Sequence, residues 1–282
     1  MIVSMFLWGL SWPSGKVLSD YCSVVNFTVY RYLIVVLTTA ALLPLTKVPF
    51  RIKRQGIPVV LISGVLLAVY SFFFFMGLKK GAPGAGGVLV TVMNPIMAYT
   101  LGIALSRRMP SRNEMTGLML GLIAGIVLLK LWSSTDALFD SGNIFFLLAA
   151  FTWSVMSKFT SQGSRYGASL SFSFWQYLVT LICFIPFVNT AELQQALSIT
   201  DFRFWGNLIF SSAIVTSGAT SIYFYTTTRL GAEKASSFIF LVPAAAALSS
   251  WALLGERLQL HTLIGGVMGI AAVYIMNRKR SS

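Results

Sequence analysis

"MNPIMAYTLGIALSRR" (93–108) and "LVPAAAALSSWALLGER" (241–257) decide how this chain is read. Each is an apolar run with a proline near its start, Pro95 or Pro243, and basic residues at its end. Proline has no backbone donor and its ring crowds the preceding helical turn, so a proline inside a helix is costly. Two such runs, their prolines 148 residues apart in a chain of 282, ask for a common cause. Working outward, Gly117 and Gly121 recur at Gly265 and Gly269 with the same offset. "YRYL" (30–33) meets "WQYL" (175–178) at an offset of 145, and Lys16 meets Lys158 at 142. A slowly drifting offset is what small loop insertions leave behind. The chain therefore reads as two related halves, 1–136 and 137–282.

Apolar residues make up 56% of the sequence and charged residues 10%. A soluble domain carries about 25% charged residues, so the composition points to a membrane protein and excludes disorder. A span needs about 20 apolar residues. Ten candidates lie near 2–18, 26–45, 57–78, 84–105, 115–132, 143–160, 169–188, 205–226, 235–254 and 262–277. Each is expected to be a helix, because a lone segment in lipid must satisfy its own backbone hydrogen bonds. Barrel strands would alternate apolar and polar residues, and "LISGVLLAVYSFFFFMGL" (61–78) does not. The first apolar segment reads as a span rather than a signal peptide, since it lacks a basic leader and Lys16 interrupts it. Cys22 and Cys183 are too few for a disulfide scaffold and read as free thiols, although sequence alone leaves their pairing open.

With ten spans both termini share one side, and fourteen of the 21 basic residues fall on it. Arg51, Arg54, Arg107, Arg108 and the 278–280 cluster are among them. The acidic residues lean the other way. The positive-inside rule then places both termini in the cytoplasm. The net charge of +13 follows from this one-sided distribution and calls for no nucleic-acid partner. Five spans per half is an odd number, so the second half enters the membrane with opposite orientation. Paired interrupted helices in such inverted repeats point to a midplane site in secondary transporters. Pro95 and Pro243 fit that role as helix breaks or gates.

These residues resemble the ten-span EamA type of the drug/metabolite transporter superfamily. The likeness rests on "LWGLSWPSGK" (7–16), Arg31, "GLKKGAPGAGGVLVTVMNP" (77–95), "RLGAEKASSFIFLVPAAAALSSWALLGERL" (229–258) and the glycine-rich closing spans, and it covers nearly the whole chain. Ser106-Arg107-Arg108 departs from the pattern, standing where the family usually shows an acidic residue. The resemblance implies a bacterial inner-membrane exporter of small metabolites, often amino acids. It also implies a central cavity lined by spans 1, 3, 4, 6, 8 and 9, with spans 5 and 10 as scaffold.

Several residues are candidates for that cavity. Trp8 and Trp12 are one helical turn apart and share a face. With Trp153, Tyr70, Tyr99 and Tyr223 they could form an amphipathic pocket, or they could serve as lipid and interface anchors. Asn94 and Gln176 are amides inside spans that need partners, either a substrate group or freed backbone. Arg31 is an intramembrane charge, functional by default unless it snorkels to the nearby interface. Lys16 and Lys158 end their spans on opposite sides, as gate charges for a carboxylate or as snorkelling anchors. Gly117, Gly121 and Gly125, with Gly265 and Gly269, allow close helix contact, either between spans 5 and 10 or in a homodimer. No Asp or Glu lies deep in a span, which disfavours a proton-coupled exporter of cations. No enzyme constellation, metal cluster or cofactor motif is visible, so neither cofactor nor metal is expected.

The expectation is an all-α integral membrane protein of ten transmembrane helices in two inverted five-helix repeats. It would export small metabolites, amino acids foremost, by alternating access, each half rocking around a midplane cavity. The alternatives are a drug or cation antiporter and a non-transporting scaffold or receptor. Its partners would be a small-molecule substrate and the bilayer, as a monomer or homodimer.

Overall fold

The computed structural model describes residues 1–81, 83–106, 109–128, 131–132, 142–245 and 260–277. Arg107-Arg108, Gly255-Glu256-Arg257 and the expected span residues 246–254 lie outside the described residues. Among the described residues the regular elements are helices: α1 (Ile2–Tyr21), α2 (Val24–Leu45), α3 (Ile57–Lys80), α4 (Pro83–Ser106), α5 (Arg112–Leu128), α6 (Asn143–Thr160), α7 (Ser169–Phe184), the short α8 (Thr190–Leu197), α9 (202–230), α10 (232–245) and α11 (Leu260–Asn277). Among the described residues six helices are long and apolar enough to cross a membrane: Val24–Leu45, Arg54–Lys80, Gly87–Leu105, Asn143–Arg165, Ser169–Phe187 and Phe202–Leu230. The serines, Lys16 and Asp20 of α1 keep its hydropathy lower.

Helix starts follow local chemistry. The Ser23 hydroxyl accepts from the Asn26 amide at 3.4 Å, the Asn189 side chain from the Glu192 amide at 3.2 Å, and Asp201 from the Arg203 amide at 2.8 Å. Each cap satisfies a donor that the helix cannot. Pro58 sits in the first turn of α3, where its missing N–H costs nothing. Gly231 separates α9 from α10 at φ 84°, ψ 160°, a region open essentially to glycine alone.

The helix ends gather at two faces. At one, Lys53 N–H donates to the Tyr166 carbonyl at 2.7 Å and Trp175 Nε1 to the Phe50 carbonyl at 2.7 Å. At the other, Asn26 Nδ2 donates to Glu192 at 2.8 Å, the Ser23 amide donates to the same carboxylate, and Tyr30 donates to the Leu193 carbonyl at 2.6 Å. This network ties α8 over the start of α2. Cys22 and Cys183 are free thiols.

The most extensive pairings all join one half of the chain to the other. α3 packs on α6 and α7, α4 on α6, α5 on α11, α2 on α7, and α1 and α2 on α9. Neighbours in sequence touch far less. Glycines permit the closest approaches: a Cβ on Gly142 would lie 2.5 Å from the Gly81 Cα, and one on Gly117 would lie 3.1 Å from the Ala272 carbonyl of α11. Phe240 of α10 lays its ring against Gly121 of α5 and its carbonyl against Gly269 of α11. The glycine stripe is thus used within the chain, between α5, α10 and α11. Among the described residues, neither half keeps its main packing faces to itself.

Candidate functional site: a central aromatic cavity

Two helical irregularities frame the centre of the molecule. The middle of α9, Phe210–Thr220, is wound as a π-helix. Thr216 Oγ1 donates to the Ser211 carbonyl at 2.9 Å and Ser217 Oγ to the Ser212 carbonyl at 3.2 Å, each five residues back. Such widened turns are rare and frequent at functional sites. In α10, residues Phe238–Leu241 are 3₁₀-wound, one residue short of Pro243. The helix there cannot form its regular bond to the proline nitrogen. Pro95 causes no such interruption, and α4 runs through it. The neighbouring Asn94 carbonyl instead accepts a hydrogen bond from Ser154 Oγ of α6 at 3.1 Å.

Between these helices lies a cavity of about 90 Å³. Its aromatic wall holds Trp8, Trp12, Tyr70, Phe74 and Trp153. Trp8 meets Trp153 edge-on at 5.2 Å between ring centroids, Tyr70 meets Trp153 at 4.6 Å, and Trp12 meets Phe74 at 4.8 Å. Trp8 Nε1 donates to Thr220 Oγ1 at 3.2 Å. Polar groups on the wall include Arg31, Ser71, Thr91, Asn94, Thr216 and Thr220. The cavity draws on α1, α2, α3, α4, α6, α9 and α10. The resemblance-based list omitted span 2, whose Arg31 and Tyr32 reach the wall.

Arg31 does not snorkel. It is 8% exposed, and its guanidinium turns inward. Nε donates to Ser211 Oγ at 3.3 Å, and Nη2 to the Ser211 carbonyl at 3.4 Å and to Thr216 Oγ1 at 2.9 Å. One face of the group lies over the Phe75 ring, 4.6 Å from its centroid. Every partner is neutral. The π turn supplies all three hydrogen-bond acceptors, from residues 211 and 216 at once, which explains why the charge is held here and not at the interface.

The structure sorts the remaining candidates. Trp8, Trp12, Tyr70, Asn94, Trp153 and Arg31 come together on the cavity wall. Tyr223 stands behind it, with its ring 4.9 Å from Trp8 and its hydroxyl accepting from Trp153 Nε1 at 3.4 Å. Tyr99 is elsewhere: it belongs to a separate core with Val92, Phe240, Ala272 and Met276. Gln176 is also away from the cavity, and its Nε2 donates to the Ser63 carbonyl of α3 at 3.4 Å, bracing α7 on α3. Lys16 pairs with Asp20 at 3.2 Å near the end of α1, and Lys158 sits half-buried in the last turn of α6; neither lines the cavity. The sequence reading missed Tyr32, Ser71, Thr216 and Thr220. The run "SSAIVTSGATS" (211–221) was the available signal, because small hydroxyl residues this dense are unusual in an apolar span.

Comparison with known proteins agrees with this architecture. The model of the EamA-like transporter family matches the chain twice, at residues 1–130 and 140–278. The uncharacterized transporter YdfC of Bacillus subtilis is 24% identical over 273 residues, spanning 95% of this chain and 86% of its own. A probable amino-acid metabolite efflux pump of Salmonella typhimurium is 24% identical over 285 residues, spanning 97% of this chain and 92% of its own. A solved crystal structure superposes with a TM-score of 0.69 at 16% identity, covering 98% of this chain and 95% of that one, a likeness of fold alone. With two family matches that between them take in both halves, the chain belongs to the EamA-like transporter family.

Proposed function

We propose that the protein is a secondary transporter of the bacterial inner membrane that exports small metabolites, amino acids foremost, by alternating access. The observation that carries this reading is the central cavity, built from helices of both halves, walled by indole and phenol rings and furnished with Arg31 and Asn94. An apolar wall with a few placed polar groups suits a small amphipathic solute. In this reading the chain crosses ten times as two inverted repeats, 1–136 and 137–282, with both termini in the cytoplasm. In the proposed motion each half rocks around the midplane cavity. Trp8, Trp12, Tyr70, Asn94 and Trp153 contact substrate, while Pro95 and Pro243 mark helices able to bend. The 24% identity to an amino-acid metabolite efflux pump supports the choice of substrate class.

A cation antiporter is the weaker reading, because no carboxylate lines the cavity among the described residues. A scaffold would not need a furnished cavity. Counterflow in proteoliposomes tests the proposal: vesicles are preloaded with single unlabelled amino acids and trace label is added outside. Transient accumulation with a subset of amino acids is expected. Folded protein that accumulates none of them, but takes up a lipophilic cation under a pH gradient, would overturn the reading in favour of the antiporter.

A further inference from the structure

Arg31 is held unlike a structural arginine. A buried charge is costly unless it is paired, and this one has no anion beside it among the described residues. Its Nε donor is spent on Ser211 and its Nη2 donors on Ser211 and Thr216. A guanidinium carries five N–H donors, so both donors of Nη1 are unspent. Arg31 itself lines the cavity. The Phe75 ring lies over one face of the group, 4.6 Å from its centroid. Asn94 repeats the pattern from α4. Its Oδ1 accepts from Ser154 Oγ at 3.3 Å, while its Nδ2 makes no hydrogen bond among the described residues. The cavity thus presents unspent donors from two helices, one of them positively charged.

We propose that Arg31 is the recognition site for a carboxylate on the transported solute, with Asn94 as a second donor. This rests on the transport reading above and narrows it: the solute carries an anionic end, and the matching amine or amide is rejected. Arginine takes a carboxylate best through two parallel N–H···O bonds. One oxygen meets Nη1, which is free. The other meets Nη2, where it competes with Thr216 Oγ1 and the Ser211 carbonyl. Solute binding therefore loosens the hold of Arg31 on the π-wound turn of α9. That couples occupancy to the helix whose irregular winding shapes the cavity.

The test reads binding, not flux, so it can fail or succeed independently of counterflow. The melting temperature of the purified full chain in detergent is measured with sodium acetate, 3-methylbutanoate and phenylacetate. The matching amides and amines are run alongside, with sodium chloride as the salt control. At least one carboxylate should raise the midpoint and bind at least tenfold more tightly than its amide. Arg31→Gln should abolish the shift, and Arg31→Lys should retain part of it. Because the carboxylate–amide comparison is made on the unmodified protein, it stands even where a variant fails to fold. Equal shifts by carboxylate and amide, no shift with any carboxylate, or a full shift in folded Arg31→Gln overturns the proposal. If carboxylates bind but counterflow is absent, the anion site stands and the transport reading falls. If counterflow is present without carboxylate preference, the reverse holds.

Discussion

Trp153 offers the sharpest test of the cavity wall. It is 4% exposed and has four ring neighbours: Tyr70 at 4.6 Å, Trp8 at 5.2 Å, Tyr223 at 5.4 Å and Phe224 at 5.8 Å. Truncating a core tryptophan to alanine costs about 3–5 kcal/mol in soluble proteins. Two features pull the figure toward the lower end here. Lipid is as apolar as a side chain, so packing rather than transfer from water supplies most of the stability. The space left by the indole would also open into a cavity already present, beside the hydroxyls of Thr220 and Ser71, instead of forming a closed void. Ring pairs contribute about 0.5–1.5 kcal/mol each, and four of them, shared and not fully additive, set the loss at about 3 kcal/mol. At roughly 2–4 °C per kcal/mol for a chain of this order, Trp153→Ala should melt roughly 6–12 °C lower in detergent. Trp153→Phe keeps a ring but gives up part of the indole's packing and the long Nε1–Tyr223 bond of 3.4 Å, so it should cost about 1–2 kcal/mol, less than the alanine variant. Assayed well below both midpoints, the alanine variant should lose amino-acid counterflow and the phenylalanine variant should keep most of it. An alanine variant that melts with the parent and transports normally would refute the placement of Trp153 in a packed, substrate-facing wall.

Other consequences can be checked directly. Gly142→Ala puts a Cβ 2.5 Å from the Cα and 2.6 Å from the nitrogen of Gly81, where backbone rather than a pliable side chain must give way. It should destabilise at the upper end of about 1–3 kcal/mol, read as a lower melting temperature, and a melting curve matching the parent would contradict the α3–α6 contact. Burial, helped by the nearby Glu192 carboxylate and opposed by Lys79, pushes the Cys22 thiol up to about 11. Only the thiolate reacts, so in a Cys183→Ser background maleimide labelling should keep rising about tenfold per pH unit well above pH 9; a plateau near the ordinary thiol value of about 8.5 would show that Cys22 is not enclosed.

The tertiary structure decided what the sequence left open at each candidate residue. Class and helices were legible, because lipid cannot solvate a bare backbone and so forces apolar segments of a certain length into helices. The shared face of Trp8 and Trp12 was legible too, since helical periodicity is a local property. The family match was carried by motifs along the chain. Which face of each helix turns to the cavity was not legible. That depends on the helices packed against it, and here those come mostly from the other half. Tyr99 and Tyr70 look alike in sequence, yet one packs among Phe240, Ala272 and Met276 while the other meets Trp153 at a tilt at the cavity. Gln176 found its partner on α3, 113 residues away. Arg31 could have snorkelled toward the interface by its position in α2 alone. It turns inward because the π winding of 210–220 sets a carbonyl and two hydroxyls within its reach, 180 and more residues downstream. The winding itself escaped detection because serines and threonines suit an α-helix as readily as a π-helix. The local pattern determines that a segment is a membrane helix, whereas only the packing of distant helices determines which of its polar groups meet a solute.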